Sequence, residues 1–218
     1  MLVAPRHAEA GGSASSPAPV PRLAANQLRR MRRIVDAAVE LAEKGGFEAV
    51  RLRDVAERSD VALGTLYKYF RSKEDILLFA LNEELERLEQ LMVARPIVGG
   101  RACARGGEFF RRATRALARR PQFARALIRA MATGDSDTAV KIAASQLRIT
   151  RLISSALRGV AVGPQSGAGN QREEAIAHTL MHVWFSSLVG WSAGLQAERA
   201  VVEEVRTAAK LILDAGEP

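Results

Sequence analysis

RLRDVAERSDVALGTLYKYFRSK, residues 51–73, reads as two short helices joined by a tight turn and running into a third. In the first piece Leu52, Val55 and Ala56 fall at helical spacing among Arg53, Asp54, Glu57 and Arg58, so one narrow face is apolar and the rest is charged. Ser59 and Asp60 stop it, because short polar side chains compete for backbone hydrogen bonds and favour turns. The second piece starts near Ala62. Val61, Leu66 and Phe70 lock it onto the first, which leaves Leu63, Gly64, Thr65, Tyr67 and Lys68 facing outward.

A helix pair of this size, with the small Ala56 where the two approach and a small, polar, basic outer face, suits entry into a major groove. Gly64 has no side chain and lets the backbone come close to a duplex. Thr65 offers a hydroxyl to a phosphate or a methyl to a thymine, Lys68 reaches guanine edges or the backbone, and Tyr67 reaches a phosphate. Ser72 is placed to cap the following helix, which puts Lys73 and the first free N–H groups where a phosphate would sit.

GTLYKYFRSK, preceded by RDVAERSDVAL and by the glycine pair of EKGGFEAV, resembles the N-terminal DNA-binding domain of the TetR family of transcriptional regulators, over roughly Gln27 to Glu84. Two positions depart from the family pattern. Arg51 stands where the family usually has a capping Thr that touches a phosphate, and Ala62 where Ser or Thr often opens the recognition helix. A missing cap costs about 1 kcal/mol, which the fold survives. Arg51 and Arg53 enter the expected contact set on charge.

Composition agrees with a helical DNA-binding protein. The chain has 218 residues, 48% of them hydrophobic, which is enough for a real core; only 5% are aromatic, and no long run alternates apolar and polar, so the expected class is all-α. A formal net charge of +8 suits a polyanionic partner. The single cysteine, Cys103, excludes an internal disulfide and reads as a packing or surface residue. No nucleophile, base and orienting group occur at useful spacings, so no enzyme is expected. Residues 1–21 lack the apolar block of a signal peptide and read as a flexible tail, and no segment offers ~18 uninterrupted apolar residues. A cytoplasmic protein is expected, organised as that tail, a helix-turn-helix domain at 22–72 and a ligand-binding and dimerisation domain at 73–218.

Before the motif, a long amphipathic helix is expected from Leu23 to Lys44, ended by Gly45 and Gly46. Its first turns hold Arg29, Arg30, Arg32 and Arg33, the wrong end for the helix dipole. Phosphates would offset that penalty, so Arg29 and Arg33 are expected along the DNA backbone. After Ser72 a helix of about twenty residues, acidic through Glu83, Glu84, Glu86 and Glu89, links the head to the remainder and confines the positive field to one end. Residues 95–107, with Pro96 and two glycine pairs, read as a loop. Helices follow at 108–119, 122–132 and 135–158, the last opened by a capping Asp-Ser-Asp, then a loop at 160–170.

The last two expected helices, 171–194 and 198–214, carry so much apolar surface that a monomer would struggle to hide it; Val201, Val205 and Ala209 form one stripe. A homodimer through these helices is therefore expected, and two recognition helices about 34 Å apart would read a palindrome. The TetR resemblance implies that the middle helices enclose a small-molecule pocket whose occupation pulls the heads out of register, making the chain a ligand-released repressor. Candidates to line it are Phe109, Phe110, Phe123, Leu127, Met131, Leu152, Met181, Trp184, Leu188 and Trp191. His178 and His182 stand four apart, yet no carboxylate or cysteine completes a metal site, and neither metal nor cofactor is expected. FARALIRAM and HVWFSSLVGW are similar to actinobacterial TetR regulators of sterol and lipid catabolism, which implies a bulky hydrophobic effector of the acyl-CoA type. The other class the residues leave open is a basic helical protein that binds nucleoid DNA or a protein partner without a metabolite.

Overall fold

The computed structural model describes residues 22–133, 136–163 and 170–214, and among them the secondary structure is helical throughout. The order is α1 Arg22–Ala49, α2 Leu52–Arg58, α3 Leu63–Leu66, α4 Lys73–Ala94, α5 Ala102–Ala118, α6 Pro121–Ala132, α7 Ser136–Arg158, α8 Gln171–Ser192 and α9 Glu198–Asp214. The tail expected at 1–21 and the capping residues before α7 lie outside the described residues.

The glycine pair breaks the axis of α1 as expected. Gly45 and Gly46 leave helical geometry, Gly46 at φ 66° and ψ −157°, where a side chain would be strained. The break turns Phe47 and Val50 into the core. Below it α1 packs on α4 and α6. Ile34, Val35, Ala38 and Ala42 form its buried stripe and meet Val55, Leu66, Phe70, Ile76 and Leu77 in one continuous core. α4 thus belongs to both halves: its first two turns close the head, and Leu81, Leu85, Leu88 and Met92 continue into the rest of the molecule.

Residues 95–107 only half follow the loop expectation. Gly99 and Gly100 turn the chain with positive φ, but α5 starts at Ala102 and takes Gly106 and Gly107 into its first turns, buried. A Cβ at Gly106 would lie 2.9 Å from Leu157 Cδ2, and one at Gly107 3.0 Å from Arg206 Cγ. These glycines let α5 lie close against α7 and α9.

The expected surplus of apolar surface on the last two helices is also corrected. Val201, Val205 and Ala209 are fully buried within the chain, where α9 packs against α5 and α8. Leu180, Met181, Trp184 and Leu188 of α8 point inward too. What α8 leaves outside is a face of small and polar residues, Ala175, Thr179, His182 and Ser186, with the aliphatic Val189 beside them. α8 opens with a full capping box between Asn170 and Glu173, and no described helix is long and apolar enough to cross a membrane.

Candidate nucleic-acid interface and effector cavity

The turn between α2 and α3 is held by backbone bonds and by an arginine of α1 that grips its carbonyls. α2 ends in paired bonds, Val61 N–H to Ala56 O at 3.0 Å and Asp60 N–H to Glu57 O at 3.1 Å, with Asp60 at φ 51° in the place glycine usually takes. Asp tolerates this left-handed geometry better than most residues. Arg33 of α1 fixes it further: Nε donates to the Ser59 carbonyl at 2.8 Å and Nη2 to the Asp60 carbonyl at 2.5 Å. A second tie, Arg58 Nε to Glu40 Oε2 at 2.6 Å, holds the end of α2 to α1.

From that turn α3 emerges as a single regular turn, Leu63–Leu66, with neither its start at Ala62 nor that of α2 at Arg51 bonded by a capping side chain. Leu66 and Phe70 anchor it in the core. Its tighter continuation, Lys68 N–H to Thr65 O at 3.1 Å and Tyr69 N–H to Leu66 O at 2.9 Å, carries the outer face onward. Gly64, Tyr67 and Lys68 are exposed, Leu63 and Thr65 half-buried, and Arg51 and Arg53 exposed beside them. Nothing lies within 4 Å of a Cβ added at Gly64, nor does that residue have positive φ. The fold itself therefore gives no reason for glycine in a helix, where it costs roughly 1 kcal/mol relative to alanine.

Three cations expected at the duplex are engaged within the head. Lys73 Nζ lies 3.8 Å from the centre of the Phe47 ring and donates to the Phe47 carbonyl at 3.3 Å, with Glu48 at 3.5 Å. Its aliphatic stem spans from α4 back to α1, so this ammonium ties the head together. Arg33 is committed to the turn as described, and the guanidinium of Arg29 is bonded to the Asn26 side chain in solvent. Ser72 caps α4 as expected, accepting from Asp75 N–H at 3.1 Å.

Farther down, α4, α5, α6, α7 and α8 surround an apolar cavity of about 70 Å³. Of the residues expected to line an effector pocket, Phe123, Leu127, Met131, Met181, Trp184 and Leu188 line this cavity. Trp184 is held in place by its indole N–H, which donates to Thr114 Oγ1 at 2.9 Å. Phe109 and Phe110 do not reach the cavity: they are fully buried and meet edge to face at 5.3 Å, as core. Leu152 instead lines a separate, more polar cleft of about 1230 Å³ between α4, α7 and α8, and Trp191 is half-buried with the Arg125 guanidinium 5.8 Å from its ring. Sequence reasoning missed Leu81, Leu85 and Leu88 on α4, and the charged pair Glu84 and Arg120, all of which line the apolar cavity. The signal was present as the helical spacing of leucines in what read as a linker.

The His178 and His182 rings lie 4.3 Å apart with their planes tilted by 58°, His182 Nδ1 is 2.9 Å from the His178 carbonyl, and both are exposed. No group of three metal-ligating side chains exists among the described residues.

Comparison with known proteins places this geometry. Residues 34–79 match the model for bacterial regulatory proteins of the tetR family, and residues 99–212 match that for a tetracyclin repressor-like C-terminal domain. The HTH-type transcriptional repressor KstR of Rhodococcus jostii is 34% identical over 190 residues, 87% of this chain and 85% of that protein. KstR of Mycolicibacterium smegmatis is 33% identical over 187 residues, 86% and 88% of the two chains. Among solved structures, a TetR transcriptional regulator from Rhodococcus sp. RHA1 shares the fold with TM-score 0.76 at 22% identity, over 88% of this chain and all (100%) of that one. Thermus thermophilus FadR, solved in complex with lauroyl-CoA, shares it with TM-score 0.64 at 23% identity, over 86% and 95%.

Proposed function

The chain belongs to the tetR family of bacterial regulatory proteins, and from that premise we propose that it is a transcriptional repressor that grips a palindromic operator as a homodimer and releases it when an apolar effector enters the cavity between α4 and α8. One observation carries the DNA-facing half of this reading. Gly64 sits on the outer face of α3 with no internal neighbour to make room for, so the partner that needs the space is external. Leu63, Thr65, Tyr67 and Lys68 surround it, and Arg51 and Arg53 flank it, a set suited to base edges and phosphates.

The dimer is proposed through the outer faces of α8 and α9. Ala175, Ser186 and Val189 allow close approach of a second copy, and Leu195 and Leu211, 82% and 69% exposed, extend that surface. A twofold pair of heads would then address successive major-groove turns.

For the effector, an apolar wall argues for an apolar ligand. A space of about 70 Å³ is under half of the ~150 Å³ void that takes benzene elsewhere, so a lipid-sized guest must push the surrounding helices apart. That expansion is the proposed route from binding to release, since α4 and α6 also pack on α1. An acyl-CoA or sterol-derived acid is the proposed class, by analogy with the lauroyl-CoA held by the T. thermophilus structure. Titrating an operator complex with fatty acyl-CoA esters tests it: release at micromolar ester supports the reading, and DNA affinity unmoved by any apolar ester or acid refutes it.

A further inference from the structure

The apolar cavity has one charged corner. Of its lining side chains only Glu84 and Arg120 are ionic, and they meet, with Arg120 Nη1 3.3 Å from Glu84 Oε1. The same guanidinium binds Glu43 of α1 through Nε and lies over Phe123, another lining residue, with Cζ 4.7 Å from the ring centre. Arg120 is thus the point at which the cavity, the head-bearing α1, α4 and the start of α6 converge.

We propose that Arg120 reads the anionic head of an amphipathic effector whose tail fills the cavity, and that the head takes the guanidinium from Glu43 and so cuts one of the ties between α6 and the DNA-binding head, leaving Arg129 on Glu48 as the other. The inference rests on the cavity being the effector site. Three features support it. Arg120 is the one cation of the wall, which apart from its partner Glu84 is apolar, and this favours a ligand with one negative group. α6 begins at Pro121 without a side chain bonded to its first amides, and an uncapped helix start favours the same charge. Finally, the two carboxylates are not held alike: Glu84 keeps Arg87 Nη1 at 2.5 Å after losing Arg120, whereas Glu43 is an exposed residue of α1. The arriving anion therefore frees Glu43 at least cost and loosens α1. Because the Arg120 side chain is 37% exposed, the head sits at the mouth, where either a free carboxylate or the phosphates of a CoA thioester could reach it.

The test is binding of dodecanoate, dodecanoyl-CoA and 1-dodecanol to the full chain, followed by tryptophan fluorescence, since Trp184 lines the cavity. Arg120→Gln is expected to weaken an anionic probe by about tenfold or more while leaving dodecanol within about twofold. Arg120→Lys, which keeps the charge and controls for folding, recovers most of the loss. Glu43→Gln removes the competing carboxylate and tightens the anion. Loss confined to dodecanoate assigns the carboxylate as the recognised group, loss confined to the thioester assigns the phosphates, and loss shared by both assigns a site that takes either anion. Equal weakening of alcohol and anions, or no weakening, overturns the role of Arg120 while leaving the cavity as the effector site. If none of the three probes binds the unaltered protein, the cavity reading falls and this inference with it.

Discussion

Asp75 and Lys141 join the two halves of the molecule through one carboxylate. Asp75, nearly buried in the first turn of α4, holds the Lys141 ammonium of α7 on Oδ1 and accepts the Arg71 amide on Oδ2 at 3.2 Å. Arg71 lies one residue past Phe70, the anchor of the outward face. One carboxylate therefore connects α7 to the segment that positions α3.

Lys141→Met tests this link. It removes the ammonium from the Asp75 carboxylate in a nearly buried place, and because Lys141 itself is half exposed the expected loss is about 1–2 kcal/mol rather than the larger figure for a fully buried pair. Urea denaturation reads it, and Asp75→Asn in the same chain should restore part of the loss. An unchanged midpoint would show the pair to be a surface contact in effect.

Gly64→Ala separates fold from function at one atom. A methyl at an open helical position should leave stability unchanged or raise it by up to about 1 kcal/mol. Operator affinity should fall about tenfold or more, because the methyl enters the space that the proposed interface leaves for the duplex. Thermal melting and a gel-shift titration of the same preparation measure both; equal affinity would remove Gly64 from the interface.

Cations of the head should sort into two kinds. Arg33→Ala removes the clamp on the Ser59 and Asp60 carbonyls and should cost about 1–2 kcal/mol of stability. Lys73→Ala, which empties the contact with Phe47, should likewise lower the melting temperature. Lys68→Ala should leave melting unchanged and relax sequence preference. Identical melting curves for all three variants would contradict this division.

That division marks the limit of what the sequence discloses. The head was legible because its signals are local: the glycine pair, the turn at Ser59–Asp60, and Leu66 and Phe70 spaced to bury. Where a long side chain ends up was not, since Lys73 could reach outward or fold back over Phe47, and only the three-dimensional approach of α1 decides. Gly106 and Gly107 read as a break because glycine favours loops, yet here they are the thin place at which α5 crosses α7 and α9. The stripe Val201, Val205 and Ala209 was correctly found as buried surface, but periodicity does not say which chain covers it, and α5 of the same chain does. Phe109 and Phe110 looked like pocket walls for their size, whereas Leu81, Leu85 and Leu88 were passed over inside an acidic helix.

Two carboxylates should respond to pH in opposite senses. The Arg111 and Arg112 guanidiniums bonded to Glu108 lower its pKa below the usual 4.5, so its stabilising contribution is present above that value and is lost as pH falls through the depressed one. Burial raises the pKa of Glu83, opposed by Arg87 and reinforced by Asp36, so its charge costs stability above the raised value and the cost disappears as pH falls below 4.5. Glu108→Gln should therefore lower the melting temperature at pH 7 and Glu83→Gln raise it, both differences shrinking toward pH 4. Differences of the same sign would overturn these assignments.

The central claim is that paired α3 faces read DNA with twofold symmetry. Selection of bound duplexes from a random pool by the full-length protein, followed by sequencing and a salt titration of the winner, tests it most directly. The account predicts an inverted repeat with half-site centres one helical turn apart, about 34 Å, or a multiple of it, and affinity that falls steeply and log-linearly with salt. Enrichment of no motif, or of a single unpaired site bound by one chain with unchanged affinity in the Gly64 and Lys68 variants, would contradict it.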